Sequence, residues 1–139
     1  MKLKFYLILC LSISFSIQTA FSGQDRVLIN STLKSDLYIL SNTIKATSPN
    51  IRQYWDYEIY KEDIERNGRI LYHQNEYAKS LRKINCKEDT SAILDIIVYN
   101  ENGTIKRSSR STEPTIWIAN VPETLGSEIQ TYICSKKIK

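Results

Sequence analysis

Cys86 stands in the stretch KINCKED, residues 83–89, at the close of an alternating run and between charged neighbours. A thiol placed there could act as a metal or redox ligand, as a nucleophile, or as half of a crosslink. A nucleophile needs a base beside it, and His73, the only histidine, lies in a highly charged stretch where it reads as a solvated loop residue. A zinc site needs three or four ligands, which the chain does not supply at ligand spacing. The carboxylates Asp56, Glu58, Glu62, Asp63 and Glu65 are numerous enough to contain an acid/base pair, but a solvated strand face and loop account for them. The residues therefore predict no catalytic group, no metal and no cofactor, and the chain reads as non-enzymatic.

The other two cysteines decide between the remaining roles. Residues 1–22 carry Lys2 and Lys4, an apolar run from Phe5 to about Ile17, and small residues at Ala20 and Ser22. That pattern predicts a secretory signal peptide cleaved after Ser22. Its apolar run is too short and too serine-rich to span a membrane. A lipoprotein leader fits worse, because Cys10 lies inside the apolar run and follows Leu9. With Cys10 in the leader, Cys86 and Cys134 remain, and two cysteines in an exported chain are expected to be bonded to each other. Residues 23–139 then form a single domain, expected in the periplasm or secreted rather than held at the outer-membrane surface.

Of the formal net charge of +4, half is supplied by Lys2 and Lys4. Such a small excess is no nucleic-acid footprint. The three phenylalanines and the single methionine also lie in the leader, so the domain draws its aromatic content from tyrosine, Trp55 and Trp117. Their polar ends want a partner or water, which suits a thin sheet with one partly wet face.

Along the chain, RVLIN (26–30) and DLYIL (36–40) predict a first hairpin, and KATSPN (45–50) reads as turn-forming punctuation. IRQYWDYEIY (51–60) alternates as a half-buried antiparallel strand. Residues 61–76 read as a long polar connection with a short helical turn at its start. YAKSLRKINC (77–86) alternates again, TSAILDIIVYN (90–100) suits a central strand, and Asn102–Gly103 turns into TIKRSSR (104–110), a polar edge. From Asn120, placed as N-cap, a last helix carries Leu125, Ile129, Tyr132 and Ile133 on one stripe, with Cys134 at its frayed end. The class predicted is α+β: an antiparallel sheet of about six strands with one C-terminal helix packed on it and tied by a disulfide.

Lys79, Lys83 and Lys87 continue one alternating face, and Lys106, Arg107 and Arg110 follow on the polar strand. Close together they would make a cationic, tyrosine-bearing surface able to meet acidic glycans or an acidic protein patch. Edge protection and solubility are the plainer use of the same charges.

In order and spacing the chain resembles the surface-adhesin protein E family of bacterial exported proteins. The resemblance is carried by DLYILSNTI, by YAKSLRKINC, by the hairpin IIVYNENGTI and by VPETLGSEIQTYIC. It implies a six-stranded antiparallel sheet with a C-terminal helix tethered by a Cys86–Cys134 disulfide, and no catalysis. The family's namesake is a dimeric envelope lipoprotein that adheres to host extracellular-matrix and serum proteins, so the resemblance implies such partners and a homodimer. It places the ligand-binding segment on the basic strand that ends at the first cysteine, here Tyr77, Ala78, Lys79, Ser80, Arg82, Asn85 and Lys87, to which the charge pattern adds Lys83. A different expectation is a periplasmic inhibitor or chaperone-like module that uses the 61–76 connection as its contact.

Overall fold

The structure, a computed structural model, describes residues 25–111 and 115–138, and the expected leader lies outside the described residues. Ten strands and one helix are present among them: β1 (Arg26–Ser31), β2 (Ser35–Leu40), a 3-10 turn (Ser41–Thr43), β3 (Lys45–Ser48), β4 (Ile51–Tyr60), β5 (Ile64–Arg66), β6 (Arg69–Tyr72), β7 (Tyr77–Asn85), β8 (Thr90–Tyr99), β9 (Ile105–Arg110), β10 (Ile118–Ala119) and α1 (Leu125–Ser135). Eight of the strands form one antiparallel sheet, ordered β1-β2-β4-β7-β8-β10, with β3 also on β4 and β9 also on β8. The six predicted strands are β1, β2, β4, β7, β8 and β9. The two additional ones, β3 and β10, are four and two residues long, too short to carry a readable alternation.

Successive side chains of a strand point to opposite faces, and register sorts the central residues. Tyr54 pairs with Arg82, Asp56 with Ser80 and Glu58 with Ala78, while Trp55 pairs with Leu81 and Tyr57 with Lys79. The first set looks toward α1. Ile129 and Ile133 of the helix bury against Leu37, Ile39, Tyr54 and Ile84, with the two bonded cysteines at the margin of that cluster. The Cys86–Cys134 disulfide closes the seam with 5.8 Å between Cα atoms, joining the residue after β7 to the last turn of the helix.

The helix begins four residues later than the sequence predicts. Glu123 takes φ 60°, a left-handed conformation that interrupts any helix running through it. Thr124 becomes the N-cap, its N–H donating to Ser127 Oγ at 3.2 Å. Asn120 instead ties the helix to the sheet: its Oδ1 accepts from Ser91 Oγ at 2.8 Å and its Nδ2 donates to Gln130 Oε1 at 2.6 Å. Gly126 permits that approach, since a Cβ there would lie 3.1 Å from Asn120 Oδ1. Cys134 lies inside the last helical turn rather than in a frayed end.

The 61–76 segment is a hairpin, not an open connection. Asn67 and Gly68 both adopt positive φ and turn β5 into β6. Of its partly buried apolar residues, Ile64 and Tyr72 pack on Tyr60, Ala78 and Val98. Tyr72 stacks on Tyr60 with ring centroids 4.1 Å apart. Helix and hairpin thus cover two halves of the same sheet face. Glu76 pins the hairpin's end, accepting from Lys106 Nζ at 2.7 Å and from the His73 N–H at 2.9 Å. Burial alone would raise its carboxyl, but these donors and the nearby positive charges outweigh it and hold the group below its ordinary value. We expect Tyr72→Ala to cost about 2 kcal/mol in chemical denaturation; an unchanged midpoint would show the hairpin to be loosely attached.

Candidate functional site

The pleat of β7 divides the predicted binding residues between the two faces. Tyr77, Lys79 and Lys83 lie on the face away from the helix, whereas Ala78, Ser80 and Arg82 lie beneath helix and hairpin. Ser80 is buried, and its backbone N–H donates to Asp56 Oδ1 at 3.2 Å. Arg82 Nε sits 2.5 Å from Asp56 Oδ2. Asp56 is only 1% exposed, and burial pushes its carboxyl up even though the Arg82 charge and the Ser80 donors pull it down. The pair is a charged piece of the interior. Asn85 shapes the turn into β8, its Oδ1 accepting from the N–H groups of Lys87 and Glu88 at 3.0 and 3.3 Å. Lys87 itself is exposed at that turn.

The uncovered face carries a row of tyrosines that sequence reading did not assemble. Tyr38, Tyr57, Tyr77 and Tyr99 come from β2, β4, β7 and β8, with successive centroids 6.0, 5.1 and 4.7 Å apart. Tyr38 lies directly opposite Tyr57, and Tyr77 opposite Tyr99, so the ladder follows from register. The cross-strand match between tyrosines at one parity was the available signal. Burial among the rings raises the Tyr77 hydroxyl above its ordinary range, with Tyr57 and Tyr99 adding to the effect. Arg26 lies over the Tyr57 ring at 4.2 Å and Lys79 beside Tyr99 at 5.6 Å.

Beyond the ladder the 3-10 turn folds over the same face. Thr43 Oγ1 donates to Leu40 O at 2.6 Å and accepts the Trp55 N–H at 2.9 Å. Leu40, Thr43, Trp55, Lys79, Ile97 and Tyr99 line a depression of about 230 Å³.

The cations of the face and of the edge differ in their partners. On β9, Lys106 pairs with Glu76 at 2.7 Å, Arg110 with Asp95 at 3.1 Å, and Arg107 stacks over Tyr72 at 4.8 Å. The edge strand therefore does not extend the unpaired cationic surface that its sequence suggests. Among the described residues Lys79 and Lys83 have no carboxylate within ion-pair distance. Of the candidate acid/base groups, Asp56 is held by Arg82, and Glu58 accepts from Ser35 Oγ at 2.7 Å and from the Tyr60 hydroxyl at 3.2 Å. His73 is exposed, with Nδ1 3.6 Å from Asp63.

No curated protein matches the chain. The surface-adhesin protein E family matches residues 27–135, a span that runs from β1 to the end of α1 and takes in both the tyrosine face and the disulfide. The chain belongs to the surface-adhesin protein E family.

Proposed function

We propose that this is an exported, non-enzymatic adhesin-type protein that binds a host extracellular-matrix or envelope macromolecule through the uncovered sheet face. The observation that carries the reading is the asymmetry of the sheet: one face is filled by helix and hairpin, and the other carries the tyrosine row, with Tyr38, Tyr77 and Tyr99 partly exposed around a buried Tyr57, together with Trp55 and two lysines without carboxylate partners. Amphipathic aromatics with unpaired cations are the chemistry of recognition surfaces. The residues that bind are, on this reading, Tyr77, Lys79 and Lys83, joined by Tyr99 and Trp55, while the buried Tyr57 supports the rings on either side of it. Ser80 and Arg82 serve them from beneath, and Lys87 borders the face at the turn. The disulfide suits an oxidising compartment, as the basic and apolar leader does an exported chain. No helix among the described residues is long and apolar enough to cross a membrane.

The inhibitor-like reading of the 61–76 segment is less well supported, because that hairpin commits Ile64 and Tyr72 to the interior. The test is capture of the protein on surfaces coated with extracellular-matrix glycoproteins. Lys79→Glu with Lys83→Glu is expected to reduce capture at least about tenfold, since each reversal replaces attraction by repulsion. Arg82 is left intact because reversing it would break the Asp56 pair. Undiminished capture by the doubly reversed protein would exclude this face.

A further inference from the structure

The depression beside the tyrosine ladder has features that the adhesin reading leaves unused. Its apolar wall is Leu40 and Ile97, and its aromatic wall is Trp55 and Tyr99. The rim is fixed by Thr43, whose hydroxyl donates to the Leu40 carbonyl and accepts from the backbone N–H of Trp55. Tyr99 is held by its stack on Tyr77, with ring planes only 9° apart. Three polar groups are unspent: Lys79 Nζ, the indole N–H of Trp55 and the hydroxyl of Tyr99 have no hydrogen-bond or ion-pair partner among the described residues. Fixed walls with a few unspent polar groups are the composition of a ligand site.

Resting on the adhesin reading, we infer that this depression seats a single carboxylated sugar unit, the acidic end or branch of a glycan. At about 230 Å³ the space is below the range of drug-sized pockets, roughly 300–1,000 Å³, and takes one ring rather than several. A sugar ring has an apolar face that suits aromatic and aliphatic walls, and a hydroxyl rim that suits the indole N–H and the phenol. One cation without a carboxylate calls for one negative charge. Lys61, Lys106, Arg82 and Arg110 each have an acidic partner within 3.1 Å, so Lys79 is set apart from them by its freedom to pair with a ligand. An acidic peptide would satisfy the lysine but would leave the ring-shaped apolar walls and the polar rim unmatched.

The test follows the two indole N–H signals of the disulfide-bonded protein by ¹⁵N NMR, with Trp117→Phe used to assign them. Methyl glucuronide should shift the Trp55 signal saturably and leave Trp117 in place. Methyl glucoside and acetate should each bind at least about tenfold more weakly, reflecting loss of a charge-assisted hydrogen bond or of the ring. Lys79→Ala should bring the glucuronide down to the glucoside level, and Lys79→Arg should retain the preference. A Trp55 signal that does not move, or one that acetate or a glutamate-rich peptide moves as effectively as the glucuronide, overturns the sugar seat. If matrix capture is still lost on reversing Lys79 and Lys83 while glucuronide has no effect, the sugar seat fails and the adhesin face stands. If reversal also leaves capture unchanged, both fail.

Discussion

Reducing the Cys86–Cys134 disulfide is expected to lower stability by about 4 kcal/mol, the chain-entropy value for a closure of this length. The two cysteines are 48 residues apart, and the loop they close holds β8, β9, β10 and nearly all of the helix. Once the bond is cut, α1 is held by Ile129 and Ile133 in their cluster and by the Asn120 contacts. An eleven-residue helix is short of the length at which helices are stable alone, so its order depends on that docking. The melting temperature should fall on the order of 15 °C for a domain of this size, and Cys86→Ser with Cys134→Ser should reproduce the fall without reductant. Equal thermal midpoints for oxidised and reduced protein would remove the staple from the account.

The second large effect belongs to the pair beneath the sheet's centre. Arg82→Met should cost about 3–5 kcal/mol, because it leaves the Asp56 carboxylate buried without its counter-charge. The combined Asp56→Leu and Arg82→Met protein should regain most of that loss, since two apolar side chains replace a pair whose desolvation offsets much of its attraction. The single variant also carries a signature in pH. Burial already raises the Asp56 carboxyl above 3.8, and removing Arg82 raises it further. A carboxyl raised in the folded state binds its proton more tightly there than when unfolded. The defect is therefore greatest above the folded-state value and shrinks as pH falls through it toward the unfolded one. Urea titrations across pH measure this directly; an Arg82→Met loss that is small, or that grows on acidification, would contradict a buried ion pair.

Much of the fold was legible because its long strands alternate with period two. The pattern in residues 51–60 and 77–86 separated Tyr54 and Asp56 from Trp55 and Tyr57, and Ser80 and Arg82 from Lys79 and Lys83. Alternation yields two sets without saying which is covered. The binding segment carried over from the family resemblance ran along β7 and so mixed Lys79 with Arg82, although the pleat sends them to opposite sides. The tyrosine row was hidden for a different reason: its members come from four strands and meet only once register is fixed.

The helix start and the hairpin mark the limits of local signals. Glu123 adopts positive φ although its residue type gives no warning of it, so Asn120 pointed to an N-terminus too early. The hairpin escaped the reading of 61–76 as an open connection because β5 is three residues long and β6 four, and their charged neighbours hid the packing of Ile64 and Tyr72. The disulfide was readable from cysteine count and compartment, whereas its effect on the helix needed the packing.

The central claim is that the uncovered face, and not the helix side or the edge strand, meets the partner. Lysine acylation followed by mass spectrometry, with the protein free and then bound to matrix glycoproteins, tests it at single residues. Lys79 and Lys83 should lose reactivity on binding, while Lys61 and Lys136 react as before. Protection confined to Lys106 or Lys136, with Lys79 and Lys83 as reactive bound as free, would contradict it.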